Sequence, residues 1–486
     1  MNSPHLRLRI IHSNDIHSHY EQMPQIAAAV QELRASAGEE HTLTLDIGDH
    51  LDRMRPETEA SAGSYNLEVM AATGYEAVTL GNNEGLTFTK EALAQLYRQY
   101  PDIKVVCANL LDAVTGDIPD WAAPFHILDK GGIKIGLIGA TAYYEQFYRL
   151  LGWDIQEPVG VIRHWVQQLR PQVDVLILMS HLGLSTDQRI AGGIPGIDVI
   201  LGGHSHHLLE QPLRIGGTLV CGAGKFGQYI GVVDLQLDPR TRKLTQAEGV
   251  VRKIEAEPYD SKLAAAIRTF EIEAGKTLNR QVAYLERPLA AHWYEEAPLG
   301  SMLASALRRW AGAEIGIVNA GQFLEGLERG TVTAGRLLDI CPSPINPCRM
   351  TLTGEQILQA LEESLLPEFM EKPIYGFGFR CKVLGMLNLD GMTVEYDADG
   401  PPLAKIRQVR VGEEPLELSR AYTVGTVDMF SFGIGYLSLS KGTNVHYFLP
   451  EFLRDIMQEE LNNPDAIAAG YDKHWFACRP LEQKDC

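Results

Sequence analysis

Through the first half of the chain one pattern recurs: a short apolar run ends on a side chain able to bind a metal, and a helix-like segment follows. LRLRIIH leads to Asp15 and His17, HTLTLDI to Asp49, EAVTL to Asn82, VDVLILMS to His181, and IDVILGG to His204 and His206. Between them stand segments such as QIAAAVQELRA, SYNLEVMAAT and KEALAQLYRQ, and VIRHWVQQLR has the apolar spacing of an amphipathic helix that covers a sheet. This rhythm predicts a layered α/β architecture with buried sheets. Strand ends in an open α/β fold converge on one crevice, so polar residues scattered along the sequence can meet there.

A length of 486 residues exceeds what one ordinary hydrophobic core accommodates, and two or three domains are expected. Residues 1–254 carry the alternation and form the first expected domain. From Glu255 to Asn279 a proline precedes a charge-rich helical stretch, read as an interdomain linker over 255–279. Residues 280–486 mix helices with β-rich segments, which predicts a second α+β or α/β domain. The net charge of −19 opposes long-range capture of nucleic acid polymers or anionic membranes. A small phosphate ester is still compatible, because divalent cations would reverse the sign locally. No run of about 18 apolar residues occurs, so no transmembrane helix is expected. The start MNSPHLRLRIIHSND lacks a charged leader and a small-residue cleavage site, which predicts a cytoplasmic protein. The cysteines (Cys107, Cys221, Cys341, Cys348, Cys381, Cys478 and Cys486) are odd in number and scattered, so reduced thiols fit best. A bridged loop between Cys341 and Cys348 around PSPINP is the alternative.

Taken singly, the polar strand ends say little. Asp15-Ile16-His17 and the Asp49 of LDIGDH each resemble a helix cap or a turn. GHSHH is stronger, since two imidazoles after an apolar strand are costly unless bound or hydrogen-bonded. The conjunction carries the argument: strand-D-x-H, strand-GD, strand-GN-x-E, strand-SH and strand-GHSH occur in one order within one domain.

That series closely resembles the metallophosphoesterase superfamily, and more narrowly the two-domain 5'-nucleotidases that include bacterial UDP-sugar hydrolases. Downstream, IGIVNAGQF resembles that family's Asn-Gly-Gly strand end, TLTGEQILQALEESL its helix entry and FSFGIGY its glycine-aromatic loop. The resemblance implies an N-terminal layered α/β metallophosphoesterase sandwich and a C-terminal α+β substrate-binding domain. It also implies two divalent metal ions, one held by Asp15, His17, Asp49 and His206, the other by Asp49, Asn82, His181 and His204, with Asp49 as the bridge. A metal-bound hydroxide would attack phosphorus. The mixed nitrogen and oxygen set suits Zn, Mn, Co, Ni or Fe. His19, His50 and His207 flank the ligands and are read either as supporting groups or as ordinary loop histidines.

The chain also departs from the family. Where the family has Gly-Asn-His-Glu followed two residues later by Asp, this chain reads Gly81-Asn82-Asn83-Glu84-Gly85-Leu86. Asn83 therefore occupies the catalytic His position and Leu86 that of its supporting Asp. Asn83 can donate a hydrogen bond to phosphate but cannot deliver a proton near neutral pH. In the second domain no Arg follows Asn319, and Ile434 stands near the place of a nucleoside-contacting Asp. Asn82 and Asn319 are expected substrate contacts. Of the aromatics Tyr375, Phe377, Phe379, Phe430 and Phe432, the pair Phe379 and Phe432 are candidate base-clamping rings, with core packing as the other reading. Arg380 is a candidate anion contact, with an exposed charge as the alternative. The expected activity is hydrolysis of a small-molecule phosphoester, a nucleotide or a nucleotide-derived ester or pyrophosphate. The alternative is a catalytically weak, metal-containing nucleotide-binding or sensing protein.

Overall fold

In the strand Leu6–Ser13 alternate side chains serve two different cores. Leu8 and Ile10 pack with Val175, Ile177 and Met179 of the strand Val175–His181, whereas Ile11 faces Met23, Ile26 and Val30 of the helix Met23–Ala37. Val175–His181 repeats the division: Leu176 and Leu178 turn toward Ile162, Val166 and Leu169 of the helix Pro158–Leu169. A side-chain period of two, apolar on both faces, thus places two sheets face to face with helices on both outer sides. These features come from a computed structural model that describes residues 6–376 and 378–478. Phe377 and Cys486 lie outside the described residues.

The first sheet runs in the order Leu244–Lys253, Tyr229–Leu237, Leu6–Ser13, Thr42–Asp46, Ala77–Val78, Lys104–Val106, Ala122–Ala123, and it is parallel from Leu6–Ser13 onward. The second runs Leu213–Ile215, Thr218–Gly222, Val199–Gly202, Val175–His181, Ile133–Thr141, Phe125–Lys130, with its four middle strands parallel. The parallel strands bring their carboxyl ends, and the polar residues that follow them, to one edge.

The chain divides into two compact units between Ala274 and Gly275, within the helix Ser261–Leu278. Leu263, Ile267 and Phe270 of that helix join the core of the first unit, where Phe270 stacks on Tyr65 at 4.2 Å. The second unit is built on a five-stranded sheet in the order Leu387–Asp390, Ile315–Asn319, Ala421–Val427, Pro347–Thr353, Thr443–Tyr447. The helix Pro298–Ala311 starts on a proline and buries Leu299, Met302, Leu303 and Leu307 with Ile315 and Ile317 in this unit's core. The two units together form the layered α/β sandwich plus C-terminal α+β domain expected from the sequence. Cys107, Cys221, Cys341, Cys348, Cys381 and Cys478 are free thiols. No helix among the described residues is long and apolar enough to cross a membrane.

Candidate metal centre

At the strand ends the backbone takes a conformation that side chains normally avoid. Asp15, His17, Asp49, His204 and His206 all have φ between 48° and 71°. Left-handed backbone at five non-glycine positions is costly, and it clusters where side chains must be aimed. Two glycines make the turns possible. Gly48 has φ 85°, and a Cβ on it would lie 2.4 Å from the Gly81 nitrogen; a Cβ on Gly81 would lie 2.1 Å from Asp49 Oδ1. The loops after Thr42–Asp46 and Ala77–Val78 therefore touch through backbone.

The seven expected ligand residues come together here, all within the first unit. One donor atom each of Asp15, His17 and His206 lie within 4.8 Å of one another, as do those of Asp15, Asp49 and His181. Asp49 Oδ2 lies 3.8 Å from His17 Nε2 and 3.4 Å from His181 Nε2, and Asp15 Oδ1 is 3.3 Å from His206 Nε2. The His204 ring is 5.2 Å from that of His181, and its main-chain nitrogen donates to Asp15 Oδ2 at 3.0 Å. Asn82 opens the helix Asn82–Thr87 beside Asp49, since the next main-chain nitrogen, that of Asn83, donates to Asp49 Oδ1 at 2.7 Å.

The arrangement fits divalent cations on this chain's own terms. Asn82 Oδ1 and His181 Nε2 are buried without a hydrogen-bond partner. His17 Nε2 faces His206 Nε2 at 3.3 Å, a contact between like atoms that a shared proton or a cation resolves. Burial disfavours charge on Asp15 and Asp49. Yet His206, His181 and His17 hold Asp15 below the ordinary carboxylate range, and His181 and His17 do the same for Asp49. Against its own burial, His181 is raised to about 10 by Asp49 and Asp15, a sign of the concentrated negative charge that a cation would offset. Burial and His181 lower His204 to about 4.

Supporting groups fix the rings. His181 Nδ1 donates to the Ile47 carbonyl at 2.7 Å, which leaves Nε2 to face the centre. His17 Nδ1 is 3.0 Å from Asp52 Oδ2. Glu84 accepts from the main-chain nitrogens of Gly81, Asp49 and Leu51 at 2.9 to 3.0 Å, which locks the two loops together. Burial and the charge of Asp49 raise Glu84 to about 7. Asp52 was not singled out from the sequence, although a carboxylate three residues after Asp49 was a signal within reach. Tyr144, whose hydroxyl is 3.3 Å from His204 Nε2, and Phe226, whose ring centre is 5.7 Å from that of His17, carried no such signal. Both reach the centre only through packing.

The flanking histidines differ among themselves. His19 Nδ1 pairs with Glu21 at 2.6 Å while its ring lies 4.2 Å from Phe226, and His207 Nδ1 meets Ser205 at 2.8 Å. His50 is buried beside Asn66 and Tyr75 and is lowered to about 3 by burial and His17. Leu86 packs against the helix-side core.

The residues expected at a substrate site in the second unit have their own surroundings. Asn319 is fully buried, donating to the Leu384 carbonyl at 2.7 Å and accepting from Gln322 at 2.8 Å. Phe379 is 4% exposed and belongs to the core, whereas Phe432 is 38% exposed and stacks on Tyr447 with ring centres 6.3 Å apart. Arg380 is half-buried, with its main-chain nitrogen donating to Ser343 at 2.9 Å.

Residues 8–208 match the family described as Calcineurin-like phosphoesterase, and residues 274–437 match 5'-nucleotidase, C-terminal domain. The fold and the centre thus define a metal-dependent phosphoester hydrolase. The chain is 35% identical over 460 residues to the Uncharacterized metallophosphoesterase YunD of Bacillus subtilis, a match covering 94% of this chain and 99% of that protein. It belongs to the two-domain 5'-nucleotidase family of calcineurin-like metallophosphoesterases. A 5'-nucleotidase of Vibrio cholerae is 24% identical, covering 94% of this chain and 91% of that one. Among solved structures, NAD nucleotidase from Haemophilus influenzae shares the fold at a TM-score of 0.69 and 18% identity, covering 98% of this chain and all of that one.

Proposed function

We propose that this chain is a dinuclear-metal phosphoester hydrolase for a nucleotide or a nucleotide-derived ester or pyrophosphate. Asp15, His17, Asp49 and His206 would hold one cation, and Asp49, Asn82, His181 and His204 the other. The observation that carries this reading is the left-handed backbone at five of those residues, with Asn82 Oδ1 and His181 Nε2 buried beside them without a hydrogen-bond partner. Asp49 Oδ2, lying between His17 and His181, supports Asp49 as the shared ligand. When bound, divalent cations supply positive charge for phosphoryl oxygens and make water acidic enough to serve as nucleophile near neutral pH. The remaining work falls to the chain: Asp52 and Ile47 orient imidazoles, and Glu84 fixes the Asp49 loop. Phe432, the expected base-clamping ring, is partly exposed and stacks on Tyr447 within the second unit.

Asn83 brings no proton to the leaving group, and general acid assistance is worth about 10²–10⁴-fold. Esters whose leaving group needs no protonation are therefore the expected substrates. The test compares AMP, a nucleoside diphosphate sugar and p-nitrophenyl phosphate with Mn or Zn added. Better turnover of the last two is expected, and AMP hydrolysed as efficiently as either would sink the preference. Asn83 also favours a second reading, a nucleotide-binding or sensing protein of low turnover. Metal-loaded protein that binds nucleotide and hydrolyses none of the three would select it.

A further inference from the structure

Asn83 is 7% exposed, and both its nitrogens meet expected ligands of the centre. Its main-chain nitrogen donates to Asp49 Oδ1 at 2.7 Å, and its carbonyl accepts from Thr87 Oγ1 at 2.6 Å. Its side-chain Nδ2 lies 2.9 Å from His17 Nδ1, the same ring nitrogen that Asp52 Oδ2 approaches to 3.0 Å.

A ring nitrogen carries either a proton or a lone pair, so it cannot accept from the Asn83 amide while donating to the Asp52 carboxylate. His17 Nε2 faces Asp15, Asp49 and His206, and a cation there needs its lone pair. The proton then sits on Nδ1, which donates to Asp52. The Asn83 amide stays attractive if it turns over and presents Oδ1, an exchange that costs no volume because the two ends of the amide are nearly isosteric. Both Asp52 and Asn83 would then accept from Nδ1–H and hold the His17 ring in one tautomer and one plane.

We infer that Asn83 is a positioning residue of the cation site, setting the tautomer and orientation of His17 while its backbone restrains Asp49, and that it does not serve the leaving group. The inference rests on the dinuclear reading above. It gives the Asn at this position a task of its own, which an imidazole proton donor facing substrate could not perform.

Chelator-stripped wild type, Asn83→Ala and Asn83→Asp are titrated with Mn(II) by calorimetry, and the Mn-loaded proteins are assayed on aryl phosphates of graded leaving-group pKa. The alanine variant should bind Mn(II) about 10- to 100-fold more weakly, the usual cost of removing a group that orients a metal ligand. Its rate loss should be uniform across the aryl series. The aspartate variant keeps an acceptor for Nδ1–H and should bind at least as tightly as wild type. If the alanine protein does not fold, the aspartate variant carries the test alone. An alanine variant binding within twofold of wild type, an aspartate variant as weak as alanine, or a loss that grows with leaving-group pKa overturns the inference. Wild-type protein that takes up no Mn(II) overturns the dinuclear reading, and the inference with it.

Discussion

His12 shows how a single buried group sets a pH response. It lies on the strand Leu6–Ser13 opposite Gly231, and a Cβ at 231 would come within 1.9 Å of His12 Nε2, so the imidazole fills the space a side chain would need. Both ring nitrogens are buried without a partner, and burial lowers the imidazole to about 4. The unfolded chain, with a histidine near 6.5, binds the proton more readily between those values. His12 therefore contributes stability that is complete above about pH 6.5 and is lost as pH falls through 4, by up to about 3 kcal/mol. Urea melts at pH 7.5 and pH 4.5 should show a smaller acid loss for His12→Leu than for wild type, and equal losses would contradict this. The same scale holds most of what the sequence made legible at the metal centre. Asp15, His17, Asp49, Asn82, His181, His204 and His206 stand out as candidate ligands because each follows an apolar run. Asp52, Tyr144 and Phe226 were not read, the last two because their contacts join residues far apart in sequence.

At the scale of elements, local chemistry settles where helices begin. The helix Gly354–Glu363 opens with a reciprocal cap: Thr353 Oγ1 accepts from the Gln356 nitrogen at 3.3 Å, and Gln356 Oε1 accepts from the Thr353 nitrogen at 2.8 Å. TLTGEQ carries that cap in plain view, because it needs only residues three apart. Thr353→Ala should cost about 1 kcal/mol of stability in a denaturant titration, and no measurable change would mean that Gln356 or water compensates fully. Sheet order was less legible. The rhythm of apolar runs predicted strands, but the placement of Tyr229–Leu237 beside Leu6–Ser13, more than two hundred residues away, depends on pairing that no local pattern encodes. The stretch 255–279 likewise read as charge-rich helix, while the packing of Leu263, Ile267 and Phe270 into the first unit's core came from their partners.

For the whole molecule the decisive term is the cation. Ions that bind the folded chain and not the unfolded one stabilise it by mass action, about 2.7 kcal/mol at a free concentration 100 times Kd. Chelation should therefore lower the melting temperature measured by calorimetry and abolish hydrolysis, and Mn(II) added back should restore both. A melting temperature indifferent to chelator and Mn(II) would argue that Asp15, Asp49 and their imidazoles are held by protein contacts alone. Periodicity and single positions suffice for the class of fold, the residue types at each strand end and the Asn83 that stands where the family has His. The tertiary structure decided what those residues face. Left-handed backbone at Asp15, His17, Asp49, His204 and His206, the loop contact through Gly48 and Gly81, and the Asn83 amide against His17 arise only where strands distant in sequence end side by side. Close contact between such strands depends on global packing, and no stretch of the chain contains it alone.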